Sequence, residues 1–311
     1  MQPGALIPIL AAGVVAVAVS GCGRGSTRLR ADQQVRTGVI SAVGAESQYA
    51  NVISQIGGRY VSVSAIMSDP NTDPHSFEAS PGVAQTISTA KLIVQNGLGY
   101  DPFMNRLEAA SPNATRRVIS VQRLLRLPDS TRNPHLWYSP RIVAIVATAV
   151  ARDLASLQPR HARYFRQQLK RFNRSLDAVY RTLASLRSRF AATPVSSSEP
   201  VANYLLQAAG TRNLTTWTLQ ADIMNGVDPA PQDLTAEDNL LQARRVKAFV
   251  YNRQVTDTVT QSFLQQALQH NIPVVAVYET MPQGYSYQSW MLAELHALQR
   301  AIGSGRSTRS L

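Results

Sequence analysis

The sequence predicts an α/β protein of two (β/α) lobes joined by one long rigid helix, with a cleft between the lobes. Three observations carry that expectation. Short β-branched runs alternate with helical stretches along most of the 311 residues, the pattern of a parallel sheet layered with helices. The alternation occurs in two blocks, one on each side of residues 159–192. Between the blocks, Phe165, Leu169, Phe172, Leu176, Val179, Leu183, Leu186 and Phe190 recur at alternating steps of four and three. That spacing lays one apolar stripe along roughly 30 residues of helix, about 45 Å. A coiled-coil strand shares the period; a stiff strut packed on both blocks suits a single such helix better, and would let the lobes rock only a little.

From Ala5 to Val19 the chain is small and apolar apart from Pro8. The run is short for a membrane span and fits the central region of an export signal. It ends in "VSGC", residues 19–22, an aliphatic residue and two small ones before a cysteine. Small residues enter a narrow protease cleft, and the Cys22 thiol is then the acceptor for a lipid. Cys22 is the only cysteine, so no internal disulfide can form. The apolar run has no Lys or Arg before it, a departure from the usual positive start. The expected organisation is a signal peptide over 1–22, a flexible tether over 23–35, an N-terminal lobe over 36–158, the linking helix over 159–192 and a C-terminal lobe over 193–311.

In the first lobe, "TGVISA" (37–42) reads as a strand, followed by a helix through "SQYANVISQIGG" that stops at Gly57-Gly58. "YVSVSAIM" (60–67) alternates at period two, Ser80 is placed to cap a helix over 81–90, and 91–97 and 116–121 read as further strands. In the second lobe, strands are expected over 193–200, 246–252 and 272–279. Helices are expected through "VANYLLQAAG" (201–210), over 256–270 and from about 286 to 302.

A hydrophobic fraction of 44% is ordinary for a folded protein. The net charge of +12 is spread along the chain and leans on amphipathic helices. It comes with no zinc-finger spacing, aromatic RNA-binding motif or dense basic block, which argues against nucleic acid. Attraction to anionic lipid fits better.

In an open α/β sheet the ligand crevice lies outside the carboxyl ends of the strands. Four polar residues stand at such ends. His75 follows strand 60–67 through "SDPNTDPH", His135 follows strand 116–121 through "LLRLPDSTRNPH", Glu199 ends the strand at 194–198, and Glu279 ends "VVAVYE". A proline before each histidine holds the backbone extended or turning. Two imidazoles and two carboxylates converging on one cleft would hold a divalent metal, the acids neutralising its charge. Taken singly each has a plainer reading: turn histidines, a helix-start acid at Glu199, a loop acid at Glu279. Glu78 reads as an acid near a helix start, and His161, His270 and His296 as surface or packing residues. Asp73, Asn133 and Asp228 are the candidates to orient the histidines.

The stretches "TDPHSFEASP", "NPHLWYSP", "SEP" before a helix and "VYETMP" before the last helix, in that order around a long central helix, resemble the metal-binding solute-binding lipoproteins of zinc and manganese ABC uptake systems. The resemblance spans about residues 37–302. It implies two (β/α) lobes, a rigid linking helix and one metal held by a ligand from each of four loops: His75, His135, Glu199 (His in some members) and Glu279, where many members have Asp. The His-rich acidic loop of many zinc-specific members is missing. Four protein ligands would close a tetrahedral shell and leave no activated water. Capture and delivery of zinc or manganese to a membrane permease is therefore expected, by a monomeric lipid-anchored protein on the outer face of the cytoplasmic membrane and not by an enzyme. The rivals are a metal-dependent hydrolase with an open site, and a surface adhesin with a structural metal.

Overall fold

The computed structural model describes residues 38–69 and 77–311. The signal and tether, Cys22, Asp73 and His75 lie outside the described residues.

The first block builds strand β1 (Ile40–Glu46), helix α1 (Ser47–Gly57), β2 (Val61–Met67), α2 (Pro81–Thr89), β3 (Leu92–Gln95), α3 (Pro102–Ala110), β4 (Arg117–Ser120), the short α4 (Val121–Leu124) and α5 (Pro140–Leu157). Its four strands lie in the order β2-β1-β3-β4 and every pair is parallel. Burial follows position in the sheet. All four residues of β3 are buried, as helices cover both faces of a central parallel strand. The edge strand β2 instead alternates between half-buried and exposed along Val61–Ala65. The helix stop expected at Gly57-Gly58 is present: Gly58 has φ +50°, and a Cβ there would also collide with the Tyr164 hydroxyl.

The expected single helix over 159–192 is a 3₁₀ turn, Pro159–His161, followed by α6 (Ala162–Ser175) and α7 (Asp177–Phe190). Leu176 joins the two with helical φ and ψ of −76° and −14°. Its N–H bonds Asn173 O three residues back at 3.2 Å, so the spiral tightens there. The apolar stripe is as read: Phe165, Phe172, Leu176, Val179, Leu183 and Leu186 are buried. The first half of the strut rests on α1 and α5.

The second block runs β5 (Pro194–Ser197), α8 (Asn203–Ala209), β6 (Arg212–Asn213), α9 (Trp217–Met224), α10 (Pro231–Gln242), β7 (Phe249–Asn252), α11 (Thr258–Gln269), β8 (Val274–Val277) and α12 (Tyr287–Ser304). Its sheet is again fully parallel, in the order β6-β5-β7-β8, the chain-order pattern of the first. Helix α7 packs on α8 and α12. Beyond α12, Thr308 pairs alongside β8: its N–H bonds Val274 O and its carbonyl accepts from Ala276 N, both at 2.8 Å.

Every strand but β6 follows the patterning to within a few residues. Helices α3, α4, α5, α9 and α10 are not singled out by it. Ser80 does stand at the start of α2, but its side chain makes no capping bond; the backbone carbonyl accepts from Val83 and Ala84.

Candidate metal centre

Strand direction gathers the candidate residues. Glu199 lies two residues past β5 and Glu279 two past β8, Asn252 is the last residue of β7, and His135 comes from the loop after β4. His135 and Glu279 are fully buried and Glu199 is 2% exposed. Nε2 of His135 sits 3.2 Å from Oε2 of Glu279. Asn252 Nδ2 donates to Glu199 Oε2 at 2.7 Å and to Glu279 Oε1 at 2.6 Å. Three of the four predicted residues are therefore joined by one hydrogen-bond network drawn from both sheets.

The setting of His135 fixes its tautomer. Asn133 Nδ2 donates to Pro200 O at 2.9 Å, so Asn133 presents its oxygen to the histidine. That oxygen takes the His135 backbone N–H at 3.0 Å and Nδ1 at 2.8 Å. Nδ1 thus carries a proton, and in the neutral ring Nε2 is the acceptor nitrogen. An acceptor nitrogen opposite a carboxylate oxygen puts two acceptors face to face. A proton or a cation between them removes the conflict. Tyr100 and Trp137 close round the ring, with centroids 5.8 and 5.3 Å away and edge-on.

The Glu279 segment is held just as closely. Gln254 Oε1 accepts from the N–H groups of Glu279 at 2.6 Å and Thr280 at 2.8 Å, and Gln48 Nε2 donates to Glu279 O at 3.2 Å. The Tyr100 hydroxyl donates to Glu279 Oε2 at 2.9 Å. Asn252 is locked by its own oxygen, which accepts from Gln254 N at 3.0 Å, and its N–H donates to Ser198 Oγ at 3.1 Å.

Beneath the His135 loop lies a second buried acid pair, Glu46 at the end of β1 and Asp101. Asp101 accepts from Asn96 N at 2.6 Å and Gly97 N at 2.8 Å, which folds the β3–α3 loop over it. Asn96 in turn donates to Pro134 O at 2.8 Å and accepts from the Tyr49 hydroxyl at 2.8 Å. Burial, then the charge of Asp101, pushes the Glu46 carboxyl well above its usual range. This network props the histidine loop from below.

Among the described residues, no three His, Cys, Asp or Glu side chains are grouped closely enough to hold a metal ion by themselves; His75 is outside those residues. Of the three candidates to orient the histidines, Asn133 does so, while Asp228 is exposed in the α9–α10 loop. Glu78 is exposed just before α2, and His296 is exposed on α12. His161 stacks on Tyr60 at 3.8 Å, and His270 is half-buried at the end of α11. The patterning did not single out Tyr100, Asn252, Gln254 and Gln48. The strand-end rule that found Glu199 and Glu279 would have found Asn252, had amides been considered beside acids.

Residues 43–301 match the family model of zinc-uptake complex component A, periplasmic. The manganese-binding lipoprotein MntA of Bacillus subtilis (strain 168) is 27% identical over 183 residues, 57% of each chain. The zinc-binding protein TroA of Treponema pallidum (strain Nichols) is 26% identical over 146 residues, 45% of this chain and 46% of TroA. The chain thus matches about half the length of these curated relatives. The crystal structure of the periplasmic zinc-binding protein TroA from Treponema pallidum superimposes with a TM-score of 0.71 at 16% identity, covering 86% of this chain and 100% of TroA. A crystal structure of ZnuA gives 0.68 at 20% identity, covering 86% and 100%. The two-lobed fold is shared with both. With its family model matched from the first strand to the last helix, the chain belongs to the family of the periplasmic zinc-uptake component ZnuA.

Proposed function

We propose that this protein captures a divalent transition metal, zinc or manganese, outside the cytoplasmic membrane and delivers it to the permease of an ABC importer. His75, His135, Glu199 and Glu279 are its ligands, one from each of four loops. The observation that carries the reading is the buried His135 Nε2 facing the Glu279 carboxylate at 3.2 Å, a nitrogen and an oxygen donor placed together as a divalent cation requires. Glu199, tied to Glu279 through Asn252, supplies the second negative charge. Family membership and the relatives MntA and TroA support the cargo class.

Four protein ligands leave no position for an activated water, so the site stores a metal and does not use it. The protein acts as a monomer and is anchored through a lipid on Cys22, which keeps it at the membrane where the permease sits. Among the described residues no helix is long and apolar enough to cross a membrane.

The test is elemental analysis of the protein purified without added metal, beside the His135→Ala and Glu279→Gln variants. The wild type is expected to carry close to one zinc or manganese per chain and the variants far less. Equal metal in all three would end the proposal. Metabolic labelling with a fatty acid, compared with Cys22→Ser, tests the anchor.

A further inference from the structure

We infer that the outer face of the strut α6–α7 is a membrane-docking surface, which lays the protein against anionic phospholipid headgroups. The inference stands on where the charge lies and does not depend on metal binding. Between Arg160 and Arg189 the chain carries nine Lys and Arg side chains and one acid, Asp177, a net +8 of the chain's +12. Residues 23–37, which follow Cys22, add four arginines and one aspartate. The rest of the chain is almost neutral, at +1. The basic character is therefore gathered in two segments and is not a general leaning towards arginine.

All nine strut cations are exposed. At about 100° of rotation per residue, Arg163, Arg166, Lys170, Arg174 and Arg181 stay within a quarter turn of one another. They lie opposite the buried stripe that includes Phe165, Phe172, Leu176 and Val179. The ion pairs among the described residues are His135–Glu279 and Arg152–Asp153, so no carboxylate neutralises the row. A helix face built only for water interleaves both signs. Here Arg166, Lys170 and Arg174 follow one another at steps of four, a like-charge spacing that destabilises a helix. An anionic surface turns that repulsion into attraction.

Two further features select a membrane over other polyanions. At the start of the strut, the Arg59 guanidinium lies 5.0 Å over Tyr60 and 5.5 Å over Tyr164, both half-buried. Basic groups beside partly exposed tyrosines suit the headgroup layer. The arginines of residues 23–37 follow the cysteine proposed to carry the lipid, and a basic patch paired with a lipid holds a protein at a membrane more firmly than a single chain does. The opening beside the candidate metal centre is lined by Gly99, Tyr100, Arg132, Pro134, Trp217 and Asn225 and by no residue of the strut, so the two surfaces are separate.

The experiment measures co-sedimentation of the full chain carrying Cys22→Ser, so that no lipid contributes. The vesicles are about one part phosphatidylglycerol to two of phosphatidylcholine, or phosphatidylcholine alone. Binding through the apolar run at residues 5–19 is common to every arm. A strut variant, Arg163→Gln with Arg166→Gln, Lys170→Gln and Arg174→Gln, is compared with a control that loses the same charge at exposed sites elsewhere, Arg106→Gln with Arg212→Gln, Arg245→Gln and Arg306→Gln. Glutamine keeps the helix, and thermal unfolding checks the fold. The native strut is expected to bind anionic vesicles far more tightly than neutral ones, and to fall to the neutral level in about 1 M salt, where charges are screened beyond about 3 Å. Each basic residue near such a surface is worth about fivefold, so the strut variant should bind about a hundredfold more weakly or worse, with the control close to the native chain. Equal losses in the two variants, or anionic binding that survives in the folded strut variant, would overturn the assignment. So would strut-dependent binding to duplex DNA without binding to the anionic vesicles, which would make the partner a nucleic acid.

Discussion

The hydroxyl of Tyr138 lies 2.9 Å from Oε1 of Glu294, although the two are 156 positions apart. The same hydroxyl lies 2.7 Å from the carbonyl oxygen of Tyr278 and 3.2 Å from the Tyr278 nitrogen. Tyr138 follows His135 by three residues and Tyr278 immediately precedes Glu279. One buried phenol therefore ties the histidine segment of the first block to the carboxylate segment of the second. Tyr287 reinforces it from α12 by donating to Trp137 O at 2.8 Å.

Removing that phenol oxygen should loosen both segments at once. Tyr138→Phe leaves the ring packed on Trp290, 5.5 Å between centroids, but strands the Tyr278 N–H and removes one of the hydrogen bonds at the Glu294 carboxyl. The expected loss of stability is about 1–3 kcal/mol, read from urea unfolding. Metal affinity should fall as well, because His135 and Glu279 lose their shared brace. A variant as stable as wild type would show that the bonds carry no net energy.

The acidity of Glu294 gives a pH dependence of definite sign. Burial pushes its carboxyl up to about 8, against hydrogen bonds from Tyr138 and Trp290 that pull it down. Burial likewise raises Glu237 to about 7. In the unfolded chain both titrate near 4.5, so between there and about 7 to 8 the folded state holds protons that the unfolded state has lost. Stability contributed by these groups is fully present below about pH 4.5 and declines as pH rises, by at most about 1.4 kcal/mol per pH unit for each group. Unfolding measured at pH 6 and pH 8 should show the higher stability at pH 6. Glu294→Gln keeps an acceptor for Tyr138 and Trp290 and removes the titration, so it should flatten part of that slope. An identical slope in the variant would contradict the assignment.

Much of this site was legible in the chain because strand ends are marked by composition. Glu279 follows the β-branched run Val274–Val277 and Glu199 the short strand Pro194–Ser197, and parallel sheets point such ends at one crevice. His135 was legible through its Asn-Pro-His setting. Asn252, Tyr100 and Gln254 were not, since amides and phenols are common and their role depends on partners 25 to 179 positions away. The break at Leu176 was also hidden: its stripe residues keep the spacing of one helix, and only the backbone departs. Helix α5 escaped notice although Pro140 opens it in the usual way.

Orientation of His135 should depend on Asn133. Its oxygen takes two bonds from the histidine, through the ring and the backbone, and its amide anchors the pair to Pro200 across the cleft. Asn133→Ala frees the ring to rotate and removes the partner that fixes its tautomer. Metal affinity should drop about 10- to 100-fold, measured by chelator competition, with little change in the far-ultraviolet circular dichroism. Asn133→Asp should recover much of the loss, because a carboxylate still accepts from Nδ1. Failure of that rescue would point to the Pro200 bond, not the imidazole, as the important contact.

Motion on metal binding should be small. The strut α6–α7 is packed along its length, α6 on α1 and α5 and α7 on α8 and α12, and its joint Leu176 is fully buried. Wide opening would expose the apolar stripe from Phe165 to Leu186, at a cost of about 25 cal/mol for every Å² uncovered. A hinge of two flexible strands would carry no such penalty. Solution scattering with and without zinc should therefore give nearly the same radius of gyration. Leu176→Ala, expected to cost about 2–5 kcal/mol, is the variant in which a metal-dependent difference should emerge. A large contraction of the wild type on adding metal would mean that the joint bends despite its packing, and the strut would have to be reassigned as a hinge.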